Sequence, residues 1–392
     1  MEKKIVCPIC GEDDPALLDY FKGIPYCTRC FEVSNGMIKR TLAPALPKTF
    51  LHLDYPLSDE QKELSQRAVD NYKKGIDTLL YAVCGSGKTE VSYGLIDYAL
   101  RNGLKVGFGL PRRDVVIELY ARLKKAFPSK KVVAVYGGHT REIDGDLIIL
   151  TTHQLFRYYR FFDLMIMDEV DAFPYAGNAI LERNFHLALK GHYMLMSATP
   201  STELVKEFRQ EKHDIISMHT RFHGNPIPVP KAVYIHGPNK YSFMHRKLSQ
   251  YKQEQKPAFV FVPSVEKAER LYRILSSGMS KGDYVTSKRA EKEEIIERFK
   301  KGELDFLVTT AILERGVTVK NLNVIVFEAS SEIYNAASLV QIAGRAGRKV
   351  DAPHGEVYFV ADRETEAIRK AISEIEYCNT FLSNMQKGDR KQ

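Results

Sequence analysis

The chain has 392 residues, 44% hydrophobic and 27% charged, an ordinary globular composition long enough for two or three domains. No apolar run is long enough to span a bilayer and the start, Met-Glu-Lys-Lys-Ile-Val-Cys, carries no secretory signal, so cytoplasmic residence is the expectation. Lys+Arg number 57 against 49 Asp+Glu, a net charge of +8 with His neutral; this suits a polyanionic partner without identifying one. Trp is absent, so any base-stacking surface must be built from Tyr, Phe, His or Arg.

Four of the six cysteines, Cys7, Cys10, Cys27 and Cys30, form two C-x₂-C pairs within the first 30 residues. That spacing presents four thiolates to one tetrahedral ion and predicts a structural Zn²⁺ that folds a module, residues 1–40, too small for its own core. Two disulfides are the alternative, which a cytoplasmic chain disfavours. Residues 41–56 carry Pro44, Pro47 and Pro56 and are expected as an extended linker. Ser58 and Gln61 have capping-box spacing at the start of a helix, while Gln61 equally suits a glutamine reading adenine; both readings stay open.

Residues 79–83 are an apolar strand, followed by Ala82-Val83-Cys84-Gly85-Ser86-Gly87-Lys88-Thr89 and a helical pattern. Strand, glycine loop, Gly-Lys-Thr and helix make a phosphate-binding loop. Backbone amides at Gly85, Ser86 and Gly87 would close on phosphate oxygens, Lys88 would reach the β- and γ-phosphates of ATP, and Thr89 would bind Mg²⁺. Short apolar strands then alternate with helices, at 104–110, 132–136, 146–150, 164–167 and 193–196. This predicts an α/β domain over 57–220 with a parallel sheet buried on both faces. Polar residues collect at the strand ends, where such sheets bind ligands: Pro111-Arg112, Thr151-Thr152, Asp168-Glu169 and Ser197-Ala198-Thr199. Asp168 would hold the Mg²⁺ and Glu169 would polarise the attacking water.

Residues 221–234 hold Pro226, Pro228 and Pro230 and are expected as a second linker. A second α/β domain of similar pattern, without a phosphate loop, is expected over 235–362, with a helix and tail at 363–392. Its run Gln341-Ile342-Ala343-Gly344-Arg345-Ala346-Gly347-Arg348 places two arginines one helical turn apart, as arginine fingers for a γ-phosphate. Fingers on one domain and the loop on the other would couple hydrolysis to domain closure.

Together these motifs resemble the superfamily-2 helicases, with two RecA-like domains. Ala82 in place of the usual first glycine is the form that superfamily uses. Asp168-Glu169-Val170-Asp171 resembles its DEAD/DEAH box and Ser197-Ala198-Thr199 the motif linking nucleotide state to domain movement. Thr310 with Arg315-Gly316 resembles its fifth motif, and Gln341 to Arg348 matches its sixth. The resemblance implies nucleic-acid backbone contacts at Pro111, Arg112, Thr151, Thr152 and Thr310. The four-cysteine start and Asp-Glu-Val-Asp-Ala-Phe-Pro-Tyr resemble the ComFA late-competence helicases more narrowly. That family implies a DNA-dependent ATPase at the inner face of the membrane, pulling single-stranded DNA through the ComEC channel with ComFC as a partner. A PriA-like helicase in repair or restart, an RNA helicase and a non-enzymatic nucleic-acid scaffold are the alternatives. Cys84 lies within the phosphate loop, so a bulky thiol reagent is expected to block nucleotide binding; full ATPase activity after complete labelling at Cys84 would refute this.

Overall fold

The computed structural model describes residues 13–21, 24–27, 51–83, 85–171, 174–221, 224–278, 281–310, 319–348, 351–352 and 354–388. Cys7, Cys10, Cys30 and Cys84 lie outside the described residues, as do Arg315 and Gly316. The chain divides into two compact units, residues 1–82 with 87–218 and residues 83–86 with 219–392.

Between the two cysteine pairs, β1 (Leu18–Phe21) and β2 (Ile24–Cys27) form an antiparallel hairpin with Leu18 opposite Cys27. Among the described residues no group of three or more His, Cys, Asp or Glu is placed to hold a metal. Three of the four expected zinc ligands fall outside them. The expected first linker ends in packed chain: Leu51 and Leu53 lie against the core of the first unit, and the His52 amide donates to the Ala126 carbonyl at 2.8 Å.

The first unit is a seven-stranded sheet of β3 (Thr78–Ala82), β4 (Val106–Leu110), β5 (Val132–Val135), β6 (Leu147–Thr151), β7 (Phe162–Asp168), β8 (Leu189–Ser197) and β9 (Asp214–Met218). Every pairing is parallel and the order is β5-β6-β4-β7-β8-β3-β9. Burial on both faces explains the uninterrupted apolar runs. In β7, Leu164 and Ile166 face the cluster built with α1 (Asp59–Lys73), α2 (Lys88–Arg101) and α3 (Arg113–Ala126), while Met165 and Met167 face the opposite cluster. That second face is closed by Leu181 and Phe185 of α4 (Ala179–Ala188) and Phe208 of α5 (Thr202–Gln210). A side chain at Gly107 or Gly109 of β4 would collide with the thioethers of Met165 and Met167, so the two glycines make room for them.

The second unit is a six-stranded parallel sheet ordered β10-β15-β14-β11-β13-β12. Its strands are β10 (Lys231–Tyr234), β11 (Ala258–Phe261), β12 (Gly282–Val285), β13 (Phe306–Thr309), β14 (Asn323–Phe327) and β15 (Val357–Ala361). One face packs on α6 (Asn239–Gln253) and α7 (Val265–Ser276), the other on α8 (Lys292–Lys300), α9 (Ala336–Ala343) and α10 (Glu366–Gly388). Ile368, Ala371, Ile375 and Cys378 are buried in that core at helical spacing, so the C-terminal helix belongs to the unit rather than trailing from it.

The expected second linker differs from expectation. Residues 231–234 form β10, the edge strand of the second sheet, paired to β15. Upstream of it, Asn379 of α10 donates from Nδ2 to the Ile227 carbonyl and accepts from the Ile227 amide at Oδ1, both at 2.9 Å. The proline-rich stretch has no helix or strand, as expected, but an amide side chain satisfies its backbone and ties it to the second unit. Among the described residues no helix is long and apolar enough to cross a membrane.

Candidate active site

The order of the first sheet sets β7, β8 and β3 side by side, so the residues at their carboxyl ends are neighbours. Beyond β3 the backbone turns through Gly85 (φ +83°) and Gly87 (φ +84°), left-handed conformations that favour glycine. Gly87 is the N-cap of α2 without any side-chain cap, which leaves the first amides of that helix to a ligand. Lys88 opens α2, and its Nζ lies 3.1 Å from Asp168 Oδ1 at the end of β7; both side chains are little exposed, 14% and 12%. Burial pushes the Asp168 carboxyl up; the Lys88 ammonium pulls it down and the Glu169 charge adds to the rise, leaving it above the usual carboxylate range. Glu169 follows in the left-handed region (φ +59°), rare for a side-chain-bearing residue, and its amide donates to Asp168 Oδ1 at 2.8 Å.

Of the two readings of Gln61, the capping box is present. Its Oε1 accepts from the Ser58 amide at 3.0 Å while Ser58 Oγ accepts from the Gln61 amide at 3.2 Å, a complete capping box worth about 1 kcal/mol. Because Ser58 N–H can only donate, Gln61 must turn its amide nitrogen the other way. That nitrogen stands beside the loop, where a side chain at Gly87 would collide with it.

The Asp-Glu-Val-Asp run is joined to Ser-Ala-Thr through its last residue. Ser197 Oγ donates to Asp171 Oδ1 at 2.8 Å and Thr199 Oγ1 to Asp171 Oδ2 at 2.7 Å; the Thr199 amide in turn donates to Ser197 Oγ at 2.9 Å. Both carboxylate oxygens are thus occupied by hydroxyls two residues apart, and Ala198 between them is buried.

In the second unit, α9 ends at Ala343 with Gly344 as its cap. The arginines therefore do not sit a helical turn apart: Arg345 and Arg348 lie in the turn beyond the helix, which Gly347 enters at φ +63°. Gln341 and Arg345 are buried, and the Nε of Arg348 is buried without a hydrogen-bond partner among the described residues. An anion is the partner such a group lacks. The carbonyls of this turn are held by Arg221, which is 2% exposed. Its Nη1 donates to the Ala346 and Gly347 carbonyls at 2.8 and 2.6 Å and its Nη2 to the Gly344 carbonyl at 3.1 Å. Hydrogen bonds to a charged group are worth roughly 1.5–3 kcal/mol each.

The residues expected to touch nucleic acid also stand at strand ends. Pro111 is buried after β4, and Arg112 is the N-cap of α3. Thr151 closes β6 and Thr152 begins the following 3₁₀ turn; both are buried, and Thr152 Oγ1 has no hydrogen-bond partner among the described residues. Thr310 follows β13. Past β5, the Tyr136 and His139 rings stack with centroids 4.9 Å apart and planes 17° from parallel, and the Arg113 guanidinium lies 5.1 Å over Tyr136. Such a cation and ring cluster offers faces to a base.

Comparisons with known proteins agree with this geometry. Residues 62–208 match the family model of the DEAD/DEAH box helicases and residues 239–350 that of the helicase conserved C-terminal domain. The chain is 34% identical over 378 residues to competence protein ComFA of Streptococcus pneumoniae, spanning 91% of this chain and 86% of the relative. It belongs to the ComFA family. Competence protein ComFA of Bacillus subtilis is 32% identical over 409 residues, spanning 99% of this chain and 88% of the relative. The fold is also that of Saccharomyces cerevisiae Dbp5 bound to RNA and ADP BeF3, with a TM-score of 0.63 at 15% identity over 82% of this chain and 91% of the other. This ComFA-family chain is thus a superfamily-2 ATP-dependent helicase ATPase with two RecA-like parallel-sheet domains in tandem.

Asp171, Arg221 and the Arg113–Tyr136–His139 cluster were not singled out by sequence reasoning. For Asp171 the signal was present, an acid at the end of an acidic turn and two hydroxyls at matching spacing; for Arg221 there was none, since its partners lie more than a hundred residues on. Asp171→Ala would leave the hydroxyls of buried Ser197 and partly buried Thr199 without this acceptor. It is expected to leave nucleotide binding within about threefold of the parent while lowering nucleic-acid-stimulated turnover about tenfold or more, measured by nucleotide titration beside steady-state kinetics.

Proposed function

We propose that this chain hydrolyses ATP to move along single-stranded DNA and drives DNA uptake during natural transformation. What carries the reading is the match to two competence proteins ComFA over 91% and 99% of the chain. Lys88 gives up Asp168 for the β- and γ-phosphates, while the amides of Gly85, Ser86 and Gly87 hold the phosphate chain and the Gln61 amide reads adenine. Thr89 and Asp168 would hold Mg²⁺, which would supply positive charge to the phosphates; a divalent ion would favour the ionised form of a carboxyl that burial has pushed up. Glu169, one residue on, orients and polarises the attacking water. Gln341, Arg345 and Arg348 add hydrogen bonds and charge to the γ-phosphate, for which the unpartnered Arg348 Nε is support.

Ser197, Ala198 and Thr199, with Arg315 and Gly316, carry the nucleotide state to the strand ends; Asp171 is the physical link on the loop side. Pro111, Arg112, Thr151, Thr152 and Thr310 hold the phosphate backbone of the strand, and Arg113, Tyr136 and His139 offer the ring faces that a chain without Trp must find elsewhere. Backbone contacts of this kind are indifferent to sequence and weaken with salt. By family resemblance the partners are the ComEC channel and ComFC, at the inner face of the membrane.

ATP turnover without nucleic acid, then with single-stranded DNA, duplex DNA or RNA, tests this reading. Strong stimulation by single-stranded DNA is expected, with Lys88→Ala or Arg348→Ala lowering turnover about a thousandfold. Stimulation by RNA alone would move the chain to RNA remodelling, and unchanged turnover in Lys88→Ala would remove the catalytic assignment.

Cys7, Cys10, Cys27 and Cys30 bind one structural Zn²⁺, a reading supported by their spacing and by the short hairpin that brings the chain back to Cys27. Metal analysis of the purified protein is expected to find one zinc per chain, lost in Cys27→Ser; zinc-free protein with normal melting would refute it.

A further inference from the structure

The second unit holds a charged group that the hydrolysis just described does not use. Arg221 is among the largest fully buried side chains of the protein, and its guanidinium donates to the carbonyls of Gly344, Ala346 and Gly347. These carbonyls bracket Arg345 and directly precede Arg348. They also point from the carboxyl end of α9, where the helix dipole is negative and the last carbonyls have no partner within the helix.

We infer that Arg221 is a positioning residue for hydrolysis: it fixes the turn that carries Arg345 and Arg348 so that both guanidinium groups are preset for phosphate. The inference rests on the proposed role of those two arginines. Three features support it. Beyond Gly344 the turn keeps only i→i−3 backbone bonds, from the Arg345 amide to the Ile342 carbonyl at 3.0 Å and from the Ala346 amide to the Ala343 carbonyl at 3.1 Å; it contains two glycines and enters the left-handed region at Gly347, so its own backbone holds it less firmly than a helix would. Arg221 meets three of its carbonyls in one plane of donors, which only a guanidinium fork can do; a lysine ammonium reaches the same place as a point charge without the planar geometry. Arg221 is itself anchored from both sides. His219 packs edge-on against Tyr377 of α10 with centroids 6.3 Å apart, and Ile227 is paired to Asn379 of the same helix. The clamp on the arginine turn is therefore part of the rigid body of the second unit rather than a loose end of a linker.

Displacing a charged group by about 1 Å at a reacting centre can cost a hundredfold in rate. Arg221→Lys is therefore expected to lower the kcat of nucleic-acid-stimulated ATP hydrolysis tenfold to a hundredfold, with the KM for ATP within threefold and the melting temperature unchanged. In an Arg345→Ala/Arg348→Ala background the same substitution should change residual turnover less than twofold, because the groups it positions are gone. If Arg348→Ala is inactive but Arg221→Lys keeps the parental kcat, or lowers turnover equally in both backgrounds, the positioning role is overturned while the role of Arg348 stands. Full turnover in Arg348→Ala would overturn the finger assignment, and this inference with it. Should the lysine variant melt lower, Arg221→Gln and Arg221→Lys assayed at a temperature where each is fully folded decide the matter: a purely structural arginine gives normal kcat once the fold is intact.

Discussion

An ammonium that is almost out of water needs an anion beside it, and in the first unit that constraint joins Lys88 to Asp168 across the ends of two strands. The pair is a placeholder as much as a contact. Each member has a second partner in view, phosphate for the cation and a divalent metal for the carboxylate, and each is held ready by the other. Desolvation makes the arrangement sensitive to what enters: a site already stripped of water gives any incoming charge a large effect. The left-handed Glu169 directly follows Asp168, and the left-handed Gly87 and the uncapped amides of α2 directly adjoin Lys88.

The all-parallel sheets explain why so many polar residues can share a small volume. A parallel sheet covered on both faces leaves its strand ends as the place where side chains meet without disturbing the core. In the first unit β3, β7 and β8 deliver a lysine, an acidic turn and a pair of hydroxyls to one end of the sheet, and Asp171 bonds to the hydroxyls directly. In the second unit the glycine-rich arginine turn lies by the amino ends of β14 and β15, beside Gly355 and the Leu322 carbonyl, and a distant guanidinium adds to the order that its own backbone bonds supply. The first unit is ordered by neighbours in the sheet, and the second borrows order from the segment that precedes it.

What could be read from the residues follows the same division. Buried parallel strands announce themselves as short apolar runs ending in polar residues, so the phosphate loop, the acidic turn and the Ser-Ala-Thr segment were legible with the strands that carry them. Two edge strands were not, although the edge strand β5 was: Asp214–Met218 is half-exposed and Lys231–Tyr234 follows a run of prolines, so neither shows a continuous apolar signal. The two arginines of that motif were read as one helical turn apart, whereas the helix stops at Ala343, with glycine at its cap and again at residue 347. The capping role of Gln61 was legible in its spacing from Ser58, whereas the position of its amide nitrogen beside Gly87 came only with the fold. Family membership was legible in the order of the motifs, whereas the pairing of Arg221 with carbonyls more than a hundred residues away belongs to tertiary structure alone.

The strand order of the first unit also constrains how the protein is made. The strand that leads into the phosphate loop, β3, is the first of its sheet to leave the ribosome, yet its neighbours are β8 and β9, which follow only after β4, β5, β6 and β7. Until residues 189–218 have emerged, β3 has no hydrogen-bonded partner on either side, and the loop beyond it has no floor. Nucleotide can therefore be held only by a chain whose first unit is complete, and an unfinished or truncated product lacks the means to hydrolyse ATP while still exposing an apolar strand to quality control.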